Sequence, residues 1–350
     1  MKRSVVMKRA FAVAATGLLS ASAAEAQQAE PPRPAAVVPR GIQVEPKYFE
    51  PTSVDGEGGL GFSYSINLAI PGLGGGKPPA PKPAALHDPK KLRVQDAFST
   101  VSLDFQARGN VALNQNINPS DFLKTGLDLA YVSSRVARGE LDPECDLNDP
   151  DTVLKCMSLA MSGLRWEAAF SGSLESDQKF DRQAKAYGGK AMLAYVPRQS
   201  SLLNRLNVLD WPFQLLRAVS GYEDTLRAEP HAFPRFLVAL ERVKPDRDPE
   251  REALSGSKED YDRVNLEMAV SAPAAMLGKQ KLTFDWSWRY FKELSPDEAV
   301  KTAKLDRFRY SALALRLDSG WSLTYATGRL PFDRQSDKVW EVGYQVLFPN

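Results

Sequence analysis

Between Val339 and Phe348 hydrophobic and polar positions alternate one by one. Trp340, Val342, Tyr344, Val346 and Phe348 make a wholly apolar set, and Val339, Glu341, Gly343, Gln345 and Leu347 a mixed one. Successive side chains of a strand point to opposite faces, so this alternation predicts a strand with one greasy and one wetter surface. The split recurs at Leu282, Phe284, Trp286, Trp288 and Tyr290 against Thr283, Asp285, Ser287 and Arg289. It recurs again at Leu103, Phe105, Ala107, Gly109 and Val111 against Ser102, Asp104, Gln106, Arg108 and Asn110, and at Leu164, Trp166, Ala168 and Phe170 against Arg165, Glu167, Ala169 and Ser171.

Read along the chain, the pattern predicts a first strand around Phe62–Leu68 and ten more at 99–114, 125–134, 163–175, 187–197, 234–243, 262–272, 280–292, 306–317, 320–330 and 338–348. Closed single-chain membrane barrels have even strand counts, so the fold expected is an all-β, closed antiparallel transmembrane barrel of 12 strands, or 10 if the first is set aside. The candidate for the hidden strand is Trp211–Leu215, which Pro212 argues against and which also reads as an amphipathic helix with Leu202, Leu203, Leu206, Leu209 and Leu216. Strand length separates a membrane barrel from a soluble sandwich. The segments run to about ten residues, the length of a tilted crossing, whereas soluble strands stop at about five or six. Trp166, Trp321, Trp340, Tyr290, Tyr310 and Tyr344 near strand ends suit interfacial girdles.

The N-terminal segment reads as a cleavable export signal over residues 1–26: Lys2, Arg3, Lys8 and Arg9, then an apolar stretch from Ala10 to Ser20, then Ala24-Glu25-Ala26. Residues 27–57 read as a disordered, Pro/Ala-rich lead-in, and 58–350 as the barrel. Beyond the leader no apolar run is long enough for a crossing helix. Without the leader, 41 basic residues face 42 acidic ones, a balance that offers no electrostatic case for nucleic-acid binding.

The alternating last strand closing on Phe348 resembles the C-terminal strand of bacterial outer-membrane β-barrel proteins. The departure is that Pro349 and Asn350 follow the aromatic. The resemblance covers residues 60–348 by pattern and is to the class, with no family inside it. It implies an outer-membrane location in a Gram-negative cell, contact with outer-membrane lipid, and recognition of the last strand by the barrel-assembly machinery.

With the polar set turned inward, the lumen-lining candidates are Asp104, Gln106, Arg108, Arg165, Glu167, Asn265, Glu267, Asp285, Arg289, Arg307, Arg309, Glu341 and Gln345. Mixed charge on a narrow wall reads as a porin-like channel or passive transport protein for small solutes. The same charges paired across the lumen read as a closed structural or surface-interaction barrel, with loops 136–162 and 244–260 as contact surfaces. A third reading is a lipid-modifying or proteolytic barrel enzyme. It rests on His231, since His87 lies in a Pro-rich stretch and no nucleophile motif surrounds either histidine. No ligand spacing points to a metal and no glycine pattern to a cofactor.

Cys145 and Cys156, an even pair in an exported chain, are expected to form a disulfide. If the last strand ends in the periplasm, Asp318-Ser319-Gly320 is a periplasmic turn and Leu294–Lys304 an outer loop; a twelve-strand count then places the Cys145/Cys156 loop outside the cell, and a ten-strand count places it in the periplasm.

Overall fold

The computed structural model describes residues 41–51, 58–71, 95–113, 122–138, 161–196, 202, 206–222, 233–256, 259–332 and 337–348. The export signal, Cys145, Cys156, His87 and His231 lie outside the described residues.

Twelve strands form one antiparallel sheet: β1 (Gly41–Pro51), β2 (Gly59–Pro71), β3 (Gln95–Ala112), β4 (Leu123–Arg138), β5 (Met161–Ser176), β6 (Gln183–Val196), β7 (Arg235–Arg247), β8 (Tyr261–Leu277), β9 (Gln280–Glu293), β10 (Arg307–Leu317), β11 (Trp321–Gly328) and β12 (Asp337–Tyr344, resuming over Val346–Phe348). Each strand pairs with its sequence neighbour, and β12 pairs back onto β1, so the sheet closes on itself. The two parts of β12 keep one register against β1, Lys47 opposite Gly343 and Val44 opposite Val346. The gap between them falls opposite Glu45 and Pro46, and a proline has no N–H for the ladder.

The twelfth strand is therefore Gly41–Pro51, inside the stretch expected to be a disordered lead-in. Trp211–Leu215 is not a strand. It opens α1 (Trp211–Val219), with Pro212 near the start of the helix, where its missing N–H costs nothing. This relocation also changes the strand parity on which the placement of the Cys145/Cys156 loop depends. Alternation of strand direction puts the β4–β5 connection at the end of the barrel where β12 finishes, together with the hairpins at 278–279 and 318–320. This is the C-terminal end of the barrel, and the opposite one is its far end. Gly278 makes its two-residue hairpin possible by taking a φ of 62° at the first central position, a left-handed value that glycine adopts without steric cost.

The apolar faces point outward. Leu60 is 62% exposed, Phe170 62%, Leu174 55% and Leu240 60%, while the polar residues between them are wholly or partly buried. Closure of β12 on β1 leaves the sheet without a terminal strand, and its outward apolar belt suits hydrocarbon, which offers nothing to a backbone polar group. The fold is that of an outer-membrane β-barrel.

Among the described residues β7–β8 pairing ends at Arg235 opposite Ala269, before the last part of β8. The helix α1 covers that stretch from outside. Phe213 packs on Phe284 with ring centroids 4.9 Å apart and shields Val270 and Ala272. Arg217 donates to the Pro273 carbonyl at 2.6 Å, and the Met276 N–H donates to the Ser220 hydroxyl at 3.0 Å. Asp210, itself buried, holds the Arg217 guanidinium through two hydrogen bonds of 3.1 and 2.7 Å.

Two further short helices, α2 (Pro249–Ser255) and α3 (Glu298–Thr302), stand in connections at the far end. Asp248 caps α2 by accepting from the Arg251 N–H. Burial nevertheless pushes its carboxyl above the ordinary aspartate value.

Candidate functional site: a polar lumen closed at one end

Inward side chains come from alternate positions of every strand, and their chemistry changes with depth. At the far end they are apolar. Phe122, Ala184, Ala186, Val243, Phe291, Leu330 and Phe332 form a buried cluster, with Tyr261, Phe308 and Tyr310 against it. Leu330 and Phe332 come from the β11–β12 connection, which folds in over the mouth, and Phe332 lies over Phe122 with centroids 6.4 Å apart. Phe332 holds a φ of 77°. Such a left-handed value is strained for a bulky residue and persists only where packing over-determines it. Arg182, from the β5–β6 turn, donates to the Phe332 carbonyl at 3.1 Å and pairs with Glu250 at 2.8 Å, tying the plug to α2. Arg329 donates to the Lys304 carbonyl and stacks over Phe308.

Under the plug lies a charged tetrad. Arg263 makes two hydrogen bonds to Glu175 at 3.0 and 2.9 Å and two to Glu241 at 2.9 and 2.6 Å, while Lys124 reaches Glu175 at 3.0 Å and Glu241 at 3.6 Å. Two cations thus neutralise two carboxylates, and the pairs span β4, β5, β7 and β8. Deeper in, Arg108 on β3 approaches Glu267 on β8 at 3.7 Å, a tie across the lumen, and Arg289 on β9 approaches the same carboxylate at 3.8 Å. On the β4–β6 wall Lys190 bonds Asp128 at 2.6 Å and lies 3.9 Å from Glu167, which Arg165 approaches at 3.8 Å.

Beside these ties a cavity of about 450 Å³ remains, between Gln43 and Gln345 toward the C-terminal end and Phe122 and Leu330 at the closed end. On its wall Lys47 bonds Glu341 at 2.9 Å, and Arg316 stands 3.3 Å from Asp285 near the C-terminal mouth.

The structure brings together on the inward side Asp104, Gln106, Arg108, Arg165, Glu167, Asn265, Glu267, Asp285, Arg289, Glu341 and Gln345. Of these, Arg108, Asp285, Arg289, Glu341 and Gln345 line the cavity. Arg307 and Arg309 are corrected: they share a face with Lys292 and Tyr290, outward at the far rim, and Arg309 lies 5.5 Å over the Tyr290 ring. Their inward neighbours are Phe308 and Tyr310, because the plug makes the lumen greasy at that level and inverts the polarity rule. Pattern reading missed Lys47, Lys124, Asp128, Glu175, Lys190, Glu241 and Arg263. Lys124, Asp128, Glu175, Lys190, Glu241 and Arg263 lie on predicted strands or at their edges. The signal was there in Glu175, which has the parity of Arg165 on its strand, in Arg263, which has that of Asn265, and in Lys124, Asp128, Lys190 and Glu241, which alternate with the exposed apolar residues of their own strands. The plug connection has no period to read.

No family profile and no curated protein sequence matches this chain. Among solved structures it is similar to the NanC porin, at 7% identity over 88% of this chain and 99% of that one, with a TM-score of 0.37. It is also similar to a BenF-like porin from Pseudomonas fluorescens Pf-5, at 12% identity over 89% and 98%, TM-score 0.28. A third likeness is to the translocator domain of the autotransporter NalP from Neisseria meningitidis, at 8% identity over 99% and 96%, TM-score 0.23. None of these assigns a role to a residue of this chain.

Proposed function

We propose that the protein is a channel of the bacterial outer membrane for small polar solutes, held shut at its far mouth by the Phe122–Leu330–Phe332 plug. The observation that carries this reading is the polar cavity of about 450 Å³, whose lining runs from Gln43 and Gln345 toward the C-terminal end to Phe122 and Leu330 under the plug. A lumen with no transport role gains nothing from keeping such a space. Barrel interiors that only need filling pack with side chains, and each void forfeits contacts. Solute selection falls to the wall charges, which act at close range in a low-dielectric passage.

Planar-bilayer recording tests the proposal. Wild-type protein should show rare, small openings, and the combined Phe122→Ala, Leu330→Ala and Phe332→Ala variant should conduct steadily at several-fold higher unitary current. Absence of current from that variant, with heat-modifiable migration proving a folded barrel, would leave a sealed structural barrel and overturn the channel.

A further inference from the structure

We infer that the closed end of the cavity is a binding site for a small solute carrying a carboxylate or phosphate, gripped between Arg108 and Arg289. This names the solute class of the passage proposed above and rests on that reading for its role in transport. The binding site itself stands on the geometry of the two arginines.

Both guanidiniums line the cavity, one from β3 and one from β9. Among the described residues the charged partner they share is Glu267, 3.7 Å from Arg108 Nη2 and 3.8 Å from Arg289 Nε. Both separations exceed hydrogen-bond length. Glu267 spends its close contact elsewhere, accepting from Asn265 at 3.1 Å. The other charge groups of the lumen are arranged differently. Lys47 stands between Glu341 and Glu45, Arg316 has Asp285, and Arg263 has two carboxylates of its own. Arg165 and Lys190 share Glu167, but Lys190 also has Asp128, so that group balances two cations with two carboxylates. The Arg108–Glu267–Arg289 group sets two cations against one carboxylate within 4 Å, and so presents a net positive charge to a space large enough for a solute.

The lining as a whole leans the same way, with five cations against three carboxylates, and one of the five, Arg235, is exposed. A planar guanidinium presents a donor fork that matches carboxylate or phosphate oxygens in pairs, and two forks facing one cavity hold one anion between them. The hydroxyls of Ser65 and Ser287 share the wall and suit the neutral part of such a solute. A volume of about 450 Å³ lies in the range of ordinary small-ligand sites.

Calorimetric titration of the full chain, refolded in detergent at low ionic strength, tests this with inorganic phosphate, gluconate and glucose as probes. Phosphate and gluconate should bind saturably, and glucose, the uncharged counterpart, should not. Arg289→Gln should weaken gluconate binding about tenfold, the size of one lost charge-assisted hydrogen-bond pair. Glu267→Gln should tighten it, because the competing carboxylate is gone. That opposite sign separates a binding site from general damage, and heat-modifiable migration certifies each variant as folded.

Equal heats from glucose and gluconate, or affinities unmoved by both Arg289→Gln and Glu267→Gln, would overturn the site. The two proposals fail separately. Anion binding without current in the plug-trimmed variant removes the channel and keeps the site. Current without anion binding does the reverse.

Discussion

Arg263→Leu should be the most damaging single substitution within the lumen, lowering the free energy of unfolding by about 3–5 kcal/mol, the scale for breaking a buried ion pair from one side. Arg263 is 2% exposed, and its carboxylate partners Glu175 and Glu241 are 1% and 6% exposed. Without the guanidinium, two buried carboxylates share the single ammonium of Lys124, and their repulsion is unscreened by water. Urea titration in detergent, followed by heat-modifiable migration, measures the loss.

What counts is the charge balance of the tetrad rather than Arg263 alone. Adding Glu241→Gln to the Arg263→Leu background restores one cation to one carboxylate and should recover a substantial part of the stability. In wild type, Glu241→Gln should be harmful. Losses that simply add would show that the tetrad is not acting as one neutral unit.

Arg217→Ala should come next and act at the opposite rim, costing about 3 kcal/mol by leaving Asp210 buried without its cation. The same change removes the donor to the Pro273 carbonyl and loosens α1 from β8. The stretch of β8 beyond Ala269 then loses the α1 groups that bond its Pro273 carbonyl and Met276 N–H, and backbone polar groups left unpaired against lipid are costly. Hydrogen exchange reads this locally. Peptides covering 270–277 should lose protection while those of β3–β5 keep theirs, since stability is distributed region by region. Protection unchanged at 270–277 would mean that α1 is an ornament on an edge that is secure by itself.

The alternation that marked most of the strands is legible because lipid outside and charge inside impose opposite chemistry on successive residues. Where either condition lapses, the pattern lapses with it. In β1, Ile42, Val44 and Tyr48 keep the outward sequence. Pro46 breaks the run, and Phe49 turns inward into a buried pocket with Ala112 and Val339. A strand so marked reads as part of the Pro-rich stretch before it. In β10 the plug reverses the rule, so Arg307 and Arg309 lie outward beside inward Phe308 and Tyr310. Trp211–Leu215 is ambiguous by pattern because exposed leucines on a helix bound to a lipid-facing wall obey neither soluble nor transmembrane patterning. The cavity was legible only as a list of wall residues. Which of them pair off and which stay over-charged depends on contacts across the lumen, between strands far apart in sequence.

The seam between β1 and β12 has a kinetic meaning. Each of the other pairings joins neighbours in sequence and can zip from its own hairpin, whereas Lys47 meets Gly343 only after nearly the whole polypeptide has been gathered. Loop-closure entropy for a span of roughly 300 residues comes to about 5 kcal/mol, and it falls on the pairing interrupted opposite Pro46. Contact order thus predicts that ring closure is the last pairing to form, with the borders of β1 and β12 the last to find each other.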